Sequence, residues 1–153
     1  MKITSVVLHA KDELCQLVPH TGAMCLLQEV AQWDEEQILC LATSHRDPAN
    51  PLRHEGRLPA LCAIEYAAQA MAVHGGLTAR KDQGKPRAGF LGSVRDVKLF
   101  ADYLDDIAAP LEVRAIRQMA DASHSLYELR VSTAGRELMT GRAAVFLQTG
   151  DEA

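Results

Sequence analysis

One acidic residue, Glu65, has neighbours that could give it chemistry. It is flanked by Ile64, Tyr66 and Ala67, with Leu61, Cys62 and Ala68 at adjacent positions of a helical surface. Such surroundings withdraw water from a carboxylate and favour its neutral form, the condition for a general acid near neutral pH. Gln69 lies four residues on, where a helix brings a carboxamide within hydrogen-bonding reach. The plainer reading is a solvated glutamate on the polar edge of an amphipathic helix. Two histidines are placed to join it: His20 follows Pro19 at the head of an apolar stretch, and His54 lies in the loop that leads into the helix. His9, His45 and His124 stand in polar contexts and are expected at the surface. His74 falls near the expected helix end, where a cation suits the C-terminal dipole.

Other chemistry fails on spacing. His54-Glu55 opens like a zinc-binding HExxH pair, but Leu58 stands where the second histidine belongs. There is no GxSxG, GxxxxGK(S/T) or GxGxxG, and the pair Gly89 and Gly92 reads as a strand bend. Neither metal nor cofactor is expected. Cys15, Cys25, Cys40 and Cys62 form no CxxC and sit among apolar neighbours, so they read as small buried hydrophobes in a reducing cytoplasm.

The elements that must position these residues follow from period and punctuation. Asp12 to Val18 reads as a short helix stopped by Pro19, and Met24 to Trp33 with Gln37 to Thr43 as a strand hairpin around Asp34-Glu35-Glu36. Ser44 to Arg57, rich in Pro, Arg and His, is a loop. The long helix is expected over about residues 59–75, with Pro59 in its first turn and Gly75-Gly76 as its stop. Ala60, Ile64, Ala67, Ala68, Met71 and Ala72 give it a smooth face that a sheet can approach closely. Four strands follow, at Gly89 to Phe100, Leu111 to Met119, Ser125 to Thr133 and Glu137 to Gln148, read as a meander. This order predicts an α+β arrangement, an antiparallel sheet wrapped around one long helix, which is the hotdog architecture.

Size and charge set the frame. At 153 residues the chain suits one domain over 1–153, and 48% hydrophobic with 24% charged residues excludes a disordered class. The uncharged run Tyr66 to Ala79 is too short for a membrane span, and Ile3 to Leu8 too short for a signal peptide. The net charge of −4 argues against a nucleic-acid partner. It averages two regions, however: Arg80, Lys81, Lys85, Arg87, Arg95 and Lys98 against Asp82 and Asp96 give a local +4, leaving −8 elsewhere. That basic segment is either a solvated loop and strand edge or a face for an acidic partner.

Two segments together resemble the bacterial 3-hydroxyacyl-[acyl-carrier-protein] dehydratases of the hotdog superfamily. Leu17-Val18-Pro19-His20 and the run to Val30 are similar to that family's opening L-x-P-H-R-x-P-F-L-L-V-D-R-V, with Thr21, Gln28 and Glu29 replacing Arg, Asp and Arg. Leu58-Pro59-Ala60, then Ile64-Glu65-Tyr66-Ala67-Ala68-Gln69, is similar to its helix signature M-P-G-V-L-x-x-E-A-x-A-Q. The family's second catalytic group is a histidine in a G-H-F-P element 14 residues before the glutamate, where this chain has Pro51. With the helix signature kept and that histidine lost, the chain looks most like the dehydratase-like subunits of aryl polyene biosynthesis clusters.

The resemblance implies a hydro-lyase that converts 3-hydroxyacyl thioesters on acyl carrier protein into trans-2-enoyl thioesters, without metal or cofactor. A histidine, His54 first and His20 second, would take the α-proton, and Glu65 would protonate or position the departing hydroxyl. Backbone N–H groups at the helix start, near Pro59, Ala60 and Leu61, would polarise the carbonyl, with Gln69 beside the substrate. Arg80, Lys81, Lys85 and Arg87, with Arg95 and Lys98, would steer an acidic carrier protein. The implied assembly is a homodimer or a heterodimer with another hotdog subunit. The alternatives are a catalytically weak partner subunit and an acyl thioesterase.

Overall fold

The computed structural model describes residues 9–18, 22–81 and 89–147. In chain order these form β1 (His9–Ala10), α1 (Lys11–Cys15), β2 (Glu29–Trp33), β3 (Gln37–Ala42), α2 (Ala63–Lys81), β4 (Gly89–Leu99), β5 (Leu111–Ala120), β6 (His124–Thr133) and β7 (Arg136–Leu147). The seven strands make one antiparallel sheet in the order β1-β2-β3-β5-β6-β7-β4, with α2 against its inner face. This is the expected hotdog architecture.

Strand pattern explains which face turns inward. In β3 and β5 every second residue is buried, so Ile38, Cys40, Leu111, Val113 and Ala115 meet the helix while their neighbours face outward. Ala134 and Gly135 both have positive φ (47° and 83°), the conformation that closes a two-residue hairpin between β6 and β7. The four later strands do not form a simple meander. β4 pairs with β7 at the far edge of the sheet, because the connection from Phe100 to Pro110 is too long for a hairpin and crosses the start of α2 instead. Leu104 plugs that crossing: it is fully buried, and its N–H donates to Leu58 O at 2.8 Å.

The helix begins later and ends later than its sequence suggests. A single 3-10 turn, Ala60–Cys62, precedes α2, which then runs straight through Gly75-Gly76 to Lys81. Gly76 is a packing residue, not a stop. A Cβ there would lie 2.7 Å from Leu17 Cδ2, so any side chain would push Leu17 from its present place against the helix. Burial along α2 falls most heavily on Ala63, Tyr66, Ala67, Ala70, Val73 and Leu77, rotated from the expected stripe. Ala60, Ala67 and Met71 are buried as expected, whereas Ile64, Ala68 and Ala72 are only half-buried, because the sheet wraps most tightly on the neighbouring face.

The cysteines divide. Cys15 and Cys25 form a disulfide, contrary to their reading as apolar filler, because the end of α1 lies beside residue 25 with Cα atoms 5.8 Å apart, within bridging range. That bond removes the cysteine argument for a reducing compartment. Cys40 and Cys62 are free thiols; Cys40 is buried, which pushes its pKa up to about 12 and leaves it inert. No helix among the described residues is long and apolar enough to cross a membrane.

Candidate active site

The start of α2 is where three irregular segments converge. The loop from residue 44 to 57 arrives from β3, residues 22–28 lie alongside, and the crossing loop after β4 closes the end. Pro59 leads in with extended backbone (φ −61°, ψ 147°) and pairs with Tyr103 of the crossing loop. Asp105 fastens the junction: its carboxylate accepts from Leu58 N–H at 2.7 Å and from Arg57 Nε at 2.9 Å, while the Arg57 guanidinium stacks 3.8 Å over the Tyr103 ring. The Ala60 N–H is spent on this latch, donating to Asp102 O at 2.9 Å. The first bond within the helical turn is Cys62 N–H to Pro59 O, and Leu61, just before it, is an exposed residue.

Glu65, the third residue of α2, is half-buried. Gln69, one turn on and 2% exposed, donates from Nε2 to Glu65 Oε2 at 3.1 Å and to Met24 O at 2.6 Å, while its Oε1 accepts from Leu26 N–H at 2.9 Å. Only one orientation of the carboxamide pairs both donors and the acceptor, so the side chain is locked. Gln69 therefore acts as a bracket between Glu65 and the segment 24–26. Cys62 stands beside Glu65, and burial, with the Glu65 charge second, pushes its thiol up; it is a thiol and not a nucleophilic thiolate.

A second polar chain, unforeseen in the sequence, runs behind Glu65. Asn50 Nδ2 donates to Tyr66 Oη at 3.1 Å and to Ser44 O at 2.9 Å. Ser44 Oγ donates to Leu26 O at 2.7 Å, so at 2.7 Å from Tyr66 Oη it must accept the phenol proton. The chain ties the loop and residue 26 to the helix at the turn that carries Glu65. Burial raises the Tyr66 phenol further, keeping it a donor. A Tyr flanking a motif Glu, with Ser and Asn in the preceding loop, is the only sequence signal it leaves.

The histidines are not where polarity of context put them. His45 is fully buried, with Nε2 donating to Ile107 O and Ala109 O at 3.0 and 3.1 Å, and burial lowers its pKa. His74 is also fully buried, and the helix runs on past it. Its Nε2 donates to Asp34 O at 2.8 Å, so Nδ1 accepts from Tyr127 Oη at 2.7 Å; burial pushes the imidazole down to about 4 and the phenol up to about 12. His9 and His124 are half-buried. His54 is exposed at the neck of a tight turn, its backbone paired both ways with Arg57 across Glu55 and Gly56, both at positive φ. Pro51, the position of the missing family histidine, is exposed. His20 lies outside the described residues.

Of the basic set, Arg80 and Lys81 are exposed at the end of α2, Lys81 paired with Glu35 at 3.0 Å, and Arg95 and Lys98 are exposed on β4. Lys85 and Arg87 lie outside the described residues. Arg80 is 15 residues past Glu65, roughly 22 Å along the helix axis.

Residues 13–153 match the family described as ApeP-like, ApeP dehydratase. The chain belongs to the ApeP-like family. Among solved structures, the ApeP-like chain is similar to the dehydratase heterocomplex ApeI:P from Xenorhabdus doucetiae, with 25% identity, a TM-score of 0.80, and coverage of 91% of this chain and 93% of that one. The fold is shared more widely. The thioesterase HI1161 from Haemophilus influenzae matches at 13% identity and TM-score 0.63 over 94% of this chain and 95% of that one. AziG from S. sahachiroi matches at 17% and 0.55 over 81% and 92%. No curated protein matches the sequence. Glu65 and Gln69, the polar pair of the helix signature, are in hydrogen-bonding contact in the structure.

Proposed function

We propose that this ApeP-like chain takes part in dehydrating 3-hydroxyacyl thioesters on acyl carrier protein to trans-2-enoyl thioesters, as one subunit of a hotdog heterodimer. The observation that carries this reading is the half-buried Glu65 carboxylate held by a locked Gln69 near the start of the central helix. Similarity to a dehydratase heterocomplex supports the two-subunit form.

In the reaction the α-proton leaves the substrate carbon, the new double bond forms, and the β-hydroxyl departs as water. Glu65 supplies the proton to that hydroxyl. The Leu61 N–H polarises the thioester carbonyl, since the Ala60 N–H is committed to Asp102. His45 and His74 are buried and held in other bonds, and His9 and His124 face Glu13 and Asp121, so His54, His20 or a histidine of the partner takes the α-proton. The exposed Pro51 in place of the family histidine favours a second reading, in which this chain shapes the site of an active partner.

The test is an assay of the purified chain, alone and with its hotdog partner, on 3-hydroxyacyl carrier-protein thioesters, comparing wild type with Glu65→Gln, His54→Ala and His20→Ala. Water loss abolished by Glu65→Gln supports the first reading; activity that needs the partner and ignores Glu65→Gln supports the second. Thiol release without water loss identifies a thioesterase. Charge reversal of Arg80 with Lys81, against reversal of Arg95 with Lys98, locates the carrier contact by its rise in KM at low salt.

A further inference from the structure

The Gln69 bracket has its other foot on a segment that α1 clamps from outside. Gln69 contacts backbone atoms of Met24 and Leu26, the residues on either side of Cys25. Cys25 is bonded to Cys15 at the end of α1, and Lys11 at the start of α1 donates to Cys25 O at 2.9 Å and to Leu27 O at 3.0 Å. α1 thus grips residues 25–27 at two points, one covalent and one through hydrogen bonds. The path from the disulfide to the Glu65 carboxylate is short and unbroken: Cys25, its backbone neighbours, the Gln69 carboxamide, Glu65 Oε2. Cys25 is 2% exposed whereas Cys15 is half-buried, so an incoming thiolate reaches the bond from the Cys15 side.

We propose that the Cys15–Cys25 disulfide is a redox-sensitive positioning element for Glu65, acting through the Met24–Leu26 backbone and Gln69. The effect on catalysis rests on the dehydratase reading; the mechanical link does not. Reduction by a small dithiol proceeds in two displacements. A reductant thiolate attacks the Cys15 sulfur, forming a mixed disulfide and expelling Cys25 as a thiolate that takes a proton. The second reductant thiol then closes its own disulfide and releases Cys15, also protonated. Two electrons pass to the protein, which ends with two thiols, and the reductant leaves as a cyclic disulfide. Residues 24–26 then keep the hydrogen bonds to Lys11, Ser44 and Gln69 and the Cys25 N–H bond to Gly22 O, but lose their covalent tie to α1 and regain backbone freedom.

The test follows the Gln69 side-chain NH2 and Leu26 amide signals by NMR in the intact protein, before and after dithiothreitol, with the gain of two hydrogens checked by mass. Dehydration kinetics are measured on the same samples with the hotdog partner. The expected result is a shift of both signals, a fall in kcat of about 10- to 100-fold with KM nearly unchanged, and recovery on reoxidation. Cys15→Ser with Cys25→Ser should reproduce the reduced state and no longer respond to dithiothreitol, which separates this bond from Cys40 and Cys62. Unmoved Gln69 and Leu26 signals in fully reduced protein overturn the proposal, as does a shift with unchanged kcat. Shifted signals with no dehydration in either state uphold the mechanical link and overturn the dehydratase reading.

Discussion

Glu65 and His74 lie nine residues apart on one helix, yet their surroundings differ in kind. Glu65 sits where loops converge, half-buried, with Gln69 holding one carboxylate oxygen. His74 sits under the sheet, sealed from solvent, with one ring nitrogen bonded to Tyr127 on β6 and the other to Asp34 in the turn between β2 and β3. A titratable group with both hydrogen-bonding atoms paired inside the core becomes a structural strut. The same kind of group at a loop junction stays within reach of solvent. The helix supplies position at both ends, and what packs against it decides the role.

That contrast breaks or sharpens under mutation and pH. The largest effect belongs to Glu65→Gln, which should cut dehydration by about 10²–10⁴-fold in kcat while a urea melt stays unchanged; loss of stability with retained activity would reverse the assignment of the two ends. Acid should act at the other end. The His74 imidazole is held down to about 4, so between the ordinary value of 6.5 and about 4 the unfolded chain binds the proton and the folded one does not. Stability should therefore be full above pH 6.5, fall as pH drops toward 4 by up to about 3 kcal/mol, and level off below. Urea titrations across that range check it, and His74→Phe should flatten part of the slope; buried His45, shifted the same way, keeps its share.

Smaller effects test the edges of the comparison. Tyr66→Phe strips the phenol from Ser44 and Asn50 and should cost about 1–2 kcal/mol in melting experiments, which would show that the loop junction is also braced from behind. The paired glycines give the finest test. Gly75→Ala meets no atom within 4 Å and should stabilise the helix by about 0.5–1 kcal/mol. Gly76→Ala drives a methyl into Leu17 and should destabilise it; equal shifts for the two would remove the packing role given to Gly76.

The fold and the Glu65–Gln69 contact of the candidate site were legible because they depend on local pattern. Alternation in Leu111 to Ile116, the Ala-rich helix and the four-residue step from Glu65 to Gln69 are all short-range signals, and each is realised. What escaped depends on contacts distant in sequence. His45 stands between Ser44 and Arg46 and His74 in a helix turn, so nothing nearby reveals that carbonyls of residues 107, 109 and 34 accept from their Nε2 atoms inside the protein. The Cys15–Cys25 bond joins a helix end to an irregular segment without a motif, and the Gly75-Gly76 pair looks like a stop unless Leu17 is known to lie against it. The pairing of β4 with β7 is set by the long crossing loop, which carries no signature of its direction.

That crossing loop also sets the order of events during synthesis. Leu58, Pro59 and Ala60 are anchored by Asp105, Tyr103 and Asp102, more than 40 positions later in the chain. The helix can wind as soon as it leaves the ribosome, but its first turn stays unlatched until residue 105 has emerged and folded back. Contacts of such long range form late and slowly. The nascent chain therefore acquires its helix before the frame around the helix start, and a truncation ahead of residue 102 leaves Glu65 on a helix whose first turn has no anchor.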